Sequence, residues 1–324
     1  MTWPEWIERH AGLFGMGRKL DEAFYEELET VLLSADVGVT ATEHLIEGLR
    51  TQAKRERYTE AAQLKQALAD AGATVAATPA ELASRSEIIL TILTDAEAID
   101  ATYRGKQGLL EGAVIGKLFV EMSTVRPEVQ RQLAKSINAK GAFLIDCPVG
   151  GTVGPARDGK LLGFAGGADN HVARAKPVLD RFCRRVDHCG AIGAGAAMKL
   201  AINLPLSVYW QAFGEALVLC KPLGLDPAKL IEIFTETSGG PNVLKSRGPS
   251  LIAALGAVAP EPVTFDIDSI RKDLRTMLEE GRALGRDLPL SARALACYDE
   301  ASRKGLGPAD AVMMTAGFMD GKLA

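Results

Sequence analysis

Hydrophobic and polar positions alternate in two different ways along the chain. Between Thr74 and His188, short apolar runs rich in β-branched residues alternate with stretches of helical periodicity. From there to Ala324, the apolar positions follow the 3.6-residue spacing of helices. The pattern predicts an α/β domain with a parallel sheet and flanking helices, followed by an all-α domain.

The predicted strands are short and apolar, which is typical of a buried parallel sheet. They cover residues 74–77, 87–93, 118–122, 142–146, 161–165 and 185–188. Ligands of such sheets bind beyond the carboxyl ends of the strands. Those ends carry hydroxyls and exposed backbone N–H groups in the segments 93–95, 123–124 and 146–152. For each loop taken singly, ordinary turn chemistry is the alternative interpretation.

Helical periodicity also marks the first seventy residues. Apolar stripes over 21–36, 40–55 and 59–69 predict a helical hairpin or a small bundle. Gly12 to Gly17 is superficially a phosphate-binding loop, but no β-run precedes it and Arg18-Lys19-Leu20 follows it. We therefore interpret this loop as a flexible connector.

The stretch Gly190 to Asn203 is predicted to open a helix that joins the two domains. Lys199 and Asn203 are four residues apart, so their side chains lie on one helical face. Small and apolar neighbours would partly desolvate the Lys199 ammonium and lower its pKa, which suits a general acid or base. A lysine that extends from a buried helix towards water, with an Asn bonded to the backbone, is the structural alternative.

Composition narrows the possible partners and compartments. The 324 residues include 37 basic and 41 acidic ones, a formal net charge of -4, which offers nothing to attract nucleic acid. The five cysteines are scattered, so neither a disulfide framework nor a metal site is indicated, and a cytoplasmic location is expected. Residues 1–10 do not form a secretory signal, and a membrane association is not expected. The apolar all-α domain is expected to supply a homo-oligomer interface.

From about residue 67 onward, several motifs occur in the order found in one enzyme family. They are Ala71-Gly-Ala-Thr-Val-Ala-Ala-Thr-Pro-Ala-Glu-Leu82, Met122-Ser-Thr, Asp146-Cys-Pro-Val-Gly-Gly, Gly193-Ala-Gly-Ala-Ala-Met-Lys-Leu-Ala-Ile-Asn203 and Lys272-Asp-Leu274. Through them the chain resembles the β-hydroxyacid dehydrogenases, the group that includes 3-hydroxyisobutyrate dehydrogenase and tartronate semialdehyde reductase.

The resemblance implies an NAD- or NADP-dependent enzyme that moves a hydride between the nicotinamide and the carbinol carbon of a small 3-hydroxy acid, or its semialdehyde. Lys199 would exchange a proton with the substrate oxygen, and Asn203 would orient that oxygen. The resemblance also assigns binding residues: Ser123, Gly150 and Gly151 for the substrate carboxylate, and Leu93, Thr94, Thr124 and Lys272 for the cofactor.

Two features depart from the family pattern. Gly150-Gly151-Thr152 stands where the family has Ser-Gly-Gly, which changes the carboxylate donors. The family also opens with a strand, Gly-x-Gly-x-x-Gly, a helix and a second strand, which we do not find before Gly72. Residues from about 13 to 68 instead resemble the helical N domain of the signal-recognition-particle receptor, through Lys19-Leu-Asp-Glu-Ala-Phe-Tyr-Glu-Glu-Leu-Glu and Leu32-Leu-Ser-Ala-Asp-Val-Gly38.

These observations leave two hypotheses and one domain assignment. We expect a helical segment at 1–69, an α/β Rossmann-like domain lacking its first β-α-β unit at 70–190, and an all-α substrate and dimerisation domain at 191–324. The first hypothesis is a β-hydroxyacid dehydrogenase whose affinity for the dinucleotide is weakened by the missing unit. The second is a catalytically inactive fusion whose N-terminal helices act as an interaction module.

Overall fold

The computed structural model describes residues 76–260 and 263–323. The chain divides into two compact units, an N-terminal unit that ends at Lys199 and a C-terminal unit that begins at Leu200. The predicted helical hairpin and the connector at Gly12 to Gly17 lie outside the described residues. Of the strand predicted at 74–77, Ala76 and Ala77 are described and are not in a strand.

Six short strands form one sheet in the described part of the N-terminal unit. They are β1 (Ile88–Thr91), β2 (Leu118–Glu121), β3 (Phe143–Asp146), β4 (Val149–Gly150), β5 (Leu161–Gly166) and β6 (Cys183–Gly190). The order across the sheet is β1-β2-β3-β5-β4, and β6 also pairs with β5. Five of these strands coincide with predicted ones to within a few residues.

The sheet is mixed, so the prediction of a parallel sheet is only partly correct. β1, β2 and β3 pair in parallel, as do β5 and β6. β5 runs antiparallel to both β3 and β4. The reason is that β4 follows β3 after two residues and is joined to β5 by a short helix, a connection too short for the crossover that parallel neighbours need.

Helices cover both faces of this sheet. They are α1 (Pro79–Arg85), α2 (Ala96–Arg104), α3 (Pro127–Ala139), α4 (Val153–Arg157) and α5 (Asp169–Leu179), with a 3-10 turn at Leu109–Glu111. Because side chains alternate along a strand, Phe119 packs into one apolar cluster with Ile89 and Leu133, whereas Val120 packs into another with Ile145. The sheet therefore lies between two apolar layers.

Helices make up the regular structure described in the C-terminal unit, as predicted. α6 (Ala194–Cys220) runs from one unit into the other, and Pro205 lies within it. The others are α7 (Pro227–Thr235), α8 (Asn242–Leu255), α9 (Ile267–Ala283), α10 (Pro289–Ala301) and α11 (Val312–Met319), with a 3-10 turn at Lys221–Leu223 and a π-helical turn at Ser302–Leu306. Trp210, Phe213 and Tyr298 belong to its apolar core. None of the described helices combines the length and apolarity needed to cross a membrane.

Candidate active site

The carboxyl ends of three parallel strands bring polar residues side by side. Thr91, Glu121 and Asp146 are the last residues of β1, β2 and β3, and the strand register pairs Thr91 with Glu121 and Glu121 with Asp146. Both carboxyl groups are completely buried. Since register partners on parallel strands project to the same face, the two carboxyl groups are neighbours.

Asp146 connects this edge of the sheet to the start of α6. Its Oδ1 accepts a hydrogen bond from the Gly193 amide at 2.7 Å, and its Oδ2 accepts one from the Ala196 amide at 2.8 Å. Burial raises the pKa of Asp146 to about 6, although these amide donors act in the opposite direction. Asp146 thus caps a helix that belongs to a different segment of the chain.

Two glycines allow this close approach. A Cβ atom at Gly166 would lie 2.4 Å from Oδ1 of Asp146, and one at Gly195 would lie 2.0 Å from the carbonyl oxygen of Phe164. Both distances are far below a van der Waals contact. The end of β5 and the first turn of α6 therefore pack backbone to backbone around the Asp146 carboxylate.

Glu121 is the centre of a second buried network. It accepts hydrogen bonds from the Ser123 hydroxyl, from the Ser123 amide at 3.1 Å, and from the Gln130 side-chain amide. Ser123 Oγ in turn accepts the Leu93 amide at 2.6 Å, which ties the loop after β1 to the loop after β2. Burial, with a smaller contribution from Asp146, raises the pKa of Glu121 to about 7 despite these donors.

The residues predicted to line a cofactor lie at this edge. Leu93, Thr94 and Thr124 follow β1 and β2 directly and are half-buried. An apolar side chain with hydroxyls beside it suits a nicotinamide ring and its ribose, so these residues fit the cofactor class that the resemblance implies. Residues 1–75, which precede this part of the sheet, lie outside the described residues.

Gly150 and Gly151 occupy the turn after β4. Gly150 ends that strand and is half-buried, whereas Gly151 is exposed and has a φ of +128°. A side chain at Gly151 would be strained by this backbone conformation and would also meet Leu161 at 2.7 Å. The glycine thus keeps the main chain accessible at the place where the sequence predicts a carboxylate-binding turn.

The two residues predicted to carry the chemistry lie one turn apart on α6. Lys199 is half-buried and ends the N-terminal unit, and Asn203 is buried. In the C-terminal unit the Asn203 amide donates to Oδ2 of Asp273 at 3.0 Å, and the Lys272 ammonium lies 3.1 Å from Oδ1 of the same carboxylate. Asp273 therefore holds two of the predicted residues together.

Sequence reasoning missed three residues of these networks. Glu121 was included in an apolar strand without a role, although a single Glu inside Leu-Phe-Val-Glu-Met directly before Ser123 was a signal. Asp146 and Asp273 were part of the quoted motifs, but their contacts with α6 were not foreseen. Among the described residues, no cluster of His, Cys, Asp and Glu is arranged to hold a metal ion.

Family comparisons agree with this architecture. The model for the NAD binding domain of 6-phosphogluconate dehydrogenase matches residues 12–190. The model for the NAD-binding domain of NADP-dependent 3-hydroxyisobutyrate dehydrogenase matches residues 193–316. The first match begins at residue 12 and therefore spans residues 13–68, whose resemblance to the signal-recognition-particle receptor is not shown by these comparisons.

Individual proteins are similar over large parts of the chain. 3-Hydroxyisobutyrate dehydrogenase of Pseudomonas aeruginosa is 33% identical over 229 residues, which cover 70% of this chain and 77% of that protein. The human mitochondrial 3-hydroxyisobutyrate dehydrogenase is 39% identical over 171 residues, 52% of this chain, so the chain spans about half (51%) of that relative's length. The structure of the Mycobacterium tuberculosis 3-hydroxyisobutyrate dehydrogenase with L-serine superposes with a TM-score of 0.64 at 26% identity, over 73% of this chain and 80% of that one.

The fold, the strand-end site and the two matched domains together define a class. A Rossmann-like domain with a mixed sheet, followed by a helical domain, is the architecture of an NAD- or NADP-binding oxidoreductase. Within that class, the chain belongs to the β-hydroxyacid dehydrogenase family.

Proposed function

We propose that the protein is an NAD- or NADP-dependent dehydrogenase of small 3-hydroxy acids, which in the reverse direction reduces the corresponding semialdehydes. The observation that carries this proposal is the Asp146 cap. It fixes the first turn of α6 at the carboxyl edge of the Rossmann-like sheet, and Lys199 follows one turn later. The names of the relatives and the matched NAD-binding models support the same reaction class.

Each predicted residue has a role in this reaction. The nicotinamide supplies or accepts the hydride when it is bound. Lys199 exchanges a proton with the substrate oxygen, and Asn203, held in place by Asp273, orients that oxygen. The substrate carboxylate is bound by Ser123 and by the backbone at Gly150 and Gly151.

Cofactor binding is assigned, by the family resemblance, to Leu93, Thr94, Thr124 and Lys272. The domains would be a helical segment at 1–69, a dinucleotide-binding domain at 70–190 and an all-α domain at 191–324, the last of which would form a homo-oligomer. The expected compartment is the cytoplasm.

A Lys199→Ala variant tests the assignment of the proton-transfer residue. We expect it to lower kcat by about 10² to 10⁴-fold for 3-hydroxyisobutyrate while it still binds NADH, because a positioned acid or base contributes by that amount. The matched control is Lys176→Ala, which removes an exposed lysine paired with Asp180 and should leave kcat unchanged. A Lys199→Ala enzyme with normal kcat would contradict the role of Lys199.

The alternative function is an inactive fusion with an N-terminal interaction module. It rests on the resemblance of residues 13–68 to the N domain of the signal-recognition-particle receptor and on the fingerprint that we do not find before Gly72. A fluorescence titration with NADH and NADPH separates the two functions. Saturable micromolar binding of NADH or NADPH supports the dehydrogenase and means that the fold provides a dinucleotide site without the usual fingerprint. An absence of binding supports the interaction module.

A further inference from the structure

Glu121 and Asp146 form a buried pair of carboxyl groups. They are register partners at the ends of β2 and β3, and each is 0% exposed. Burial disfavours the charged form of each group, and Asp146 adds a smaller like-charge contribution at Glu121, so near neutral pH we expect one of them to keep a proton. The surrounding donors decide which one does.

The hydrogen-bond donors favour the negative charge on Asp146 and the proton on Glu121. Both of its oxygens accept amide hydrogen bonds from the N-terminus of α6, where the helix dipole also stabilises an anion. Glu121 faces Thr91 from β1, Tyr103 from α2 and Gln130 from α3, besides Asp146 from β3. None of these neighbours is a cation. Burial raises the pKa of both carboxyl groups, to about 7 for Glu121 and about 6 for Asp146.

The proton on Glu121 changes what the Ser123 hydroxyl can do. A serine oxygen has two lone pairs and one hydrogen. The Leu93 amide occupies one lone pair in either state. Beside an ionised Glu121, the hydrogen of Ser123 must be donated to that carboxylate. When Glu121 is protonated, it donates to the second lone pair instead, and the hydrogen of Ser123 becomes available to another acceptor.

We propose that Glu121 is a positioning residue that, in its protonated form, donates to Ser123 and leaves the Ser123 hydroxyl hydrogen for the substrate carboxylate. This inference rests on the proposed function, in which Ser123 binds that carboxylate. Ser123 is 1% exposed, so a carboxylate in contact with it is desolvated. An ionised Glu121 would be a like charge beside it in a low-dielectric environment, and the binding of substrate is therefore coupled to the proton on Glu121.

The test is the pH dependence of the KM for 3-hydroxyisobutyrate between pH 6 and 9 at saturating cofactor. In the unmodified enzyme we expect KM to rise above pH 7, at most about tenfold per pH unit. Glu121→Gln, which is always neutral, should have a KM that does not change with pH, and its kcat should fall by much less than the roughly 10²-fold expected for a lost acid or base. Glu128→Gln, at an exposed carboxylate on α3, should behave like the unmodified enzyme.

A double-mutant cycle identifies Ser123 as the group through which Glu121 acts. Ser123→Ala should raise KM at every pH, and above pH 7 adding Glu121→Gln to it should lower KM less than Glu121→Gln alone does, because the hydrogen bond through which Glu121 acts on Ser123 has been removed and only its charge remains. A Glu121 with a merely structural role would give parallel KM profiles for the unmodified enzyme and Glu121→Gln, and that result would overturn the inference.

Carboxyl ¹³C NMR of the unliganded full chain separates failure of the inference from failure of the proposed function. The Glu121 signal, identified by its loss in Glu121→Gln, should report a protonated carboxyl at pH 6 that ionises near pH 7. If no 3-hydroxy acid is oxidised, the proposed function fails, but this signal still decides where the proton is. A Glu121 that is ionised at pH 6 overturns the inference whether or not the enzyme turns over.

Discussion

The two units bury their carboxylates in different ways. In the N-terminal unit, Glu121 and Asp146 are surrounded by amide and hydroxyl donors. In the C-terminal unit, the buried carboxylate of Asp310 lies 2.6 Å from the Arg247 guanidinium, and that of Asp273 lies 3.1 Å from the Lys272 ammonium. Burial raises the pKa of a carboxyl group that has only neutral donors around it, whereas a carboxylate paired with a cation depends on that cation for its charge balance.

The two groups of buried carboxylates are expected to have different roles. The strand-end carboxyl groups of the N-terminal unit can exchange protons in the pH range in which a dehydrogenase works. The ion pairs of the C-terminal unit instead fix side chains, because Asp310 also accepts from the Thr264 and Val312 amides and Asp273 also accepts from Asn203. The ion pairs of the C-terminal unit thus support its fold, whereas burial raises the pKa of the strand-end carboxyl groups of the N-terminal unit towards neutral pH.

Removal of the Arg247 guanidinium should have the largest effect on stability. Arg247→Met leaves the Asp310 carboxylate, which is 1% exposed, without its counter-charge, and we expect the free energy of unfolding to fall by about 3–5 kcal/mol. Urea denaturation followed by circular dichroism measures this loss. Arg185→Met, at the exposed pair with Asp187, should cost at most about 1 kcal/mol.

A double variant shows whether the loss comes from the unpaired charge. Arg247→Met combined with Asp310→Asn removes the charge but keeps an oxygen for the Val312 amide, so it should recover part of the lost stability. If Arg247→Met costs no more than Arg185→Met, the C-terminal unit does not depend on the cations beside its buried carboxylates, and the contrast between the two units fails.

The pH dependence of unfolding should show an effect of intermediate size. Folded Glu121 keeps its proton up to about pH 7, whereas an unfolded glutamate releases it near 4.5. The folded state therefore binds more protons between these two values, and the free energy of unfolding falls as the pH rises through this window. The loss attributable to Glu121 is on the order of 3 kcal/mol and is complete above pH 7.

Glu121→Gln should flatten that slope. Urea denaturation at several pH values between 5 and 8 measures it, and the contribution of Asp146, which has the same sign, should remain up to about pH 6. Glu128→Gln is the control, because the pKa of this exposed carboxyl is lowered by hydrogen bonds from Arg131 and Gln132, so it titrates below the window. Parallel slopes for the unmodified protein and Glu121→Gln would contradict a protonated Glu121.

Local patterns predicted most of the described elements but not the contacts between them. Strand-like runs located β1, β2, β3, β5 and β6, and the glycine-spaced stretch from Gly190 located the start of α6. β4 was missed because two residues carry no periodicity. Within α8, Gly248 and Pro249 interrupt the apolar stripe, which weakens the local signal for this helix.

The candidate site was predictable as a set of residues and not as a network. The polar strand ends could be assigned to one edge because parallel strands share it. The hydrogen bond from Asn203 to Asp273 joins positions 70 residues apart, and the one from Gly193 to Asp146 joins positions 47 apart. No local spacing encodes such pairs, because they depend on tertiary packing.

The smallest effect on stability is expected at Gly195, which allows Asp146 to cap α6. A Cβ at Gly195 would meet the Phe164 carbonyl at 2.0 Å and Oδ2 of Asp146 at 2.9 Å, so Gly195→Ala must move α6 away from its cap. We expect a loss of about 1–3 kcal/mol, typical of overpacking, as a lower melting temperature in calorimetry. Gly154→Ala is the matched control in α4, where a Cβ meets nothing within 4 Å, and it should be neutral or stabilise by about 0.5–1 kcal/mol. Equal melting temperatures for the two variants would mean that α6 can leave Asp146 at no cost, and the carboxylate of the N-terminal unit would then not need its amide donors.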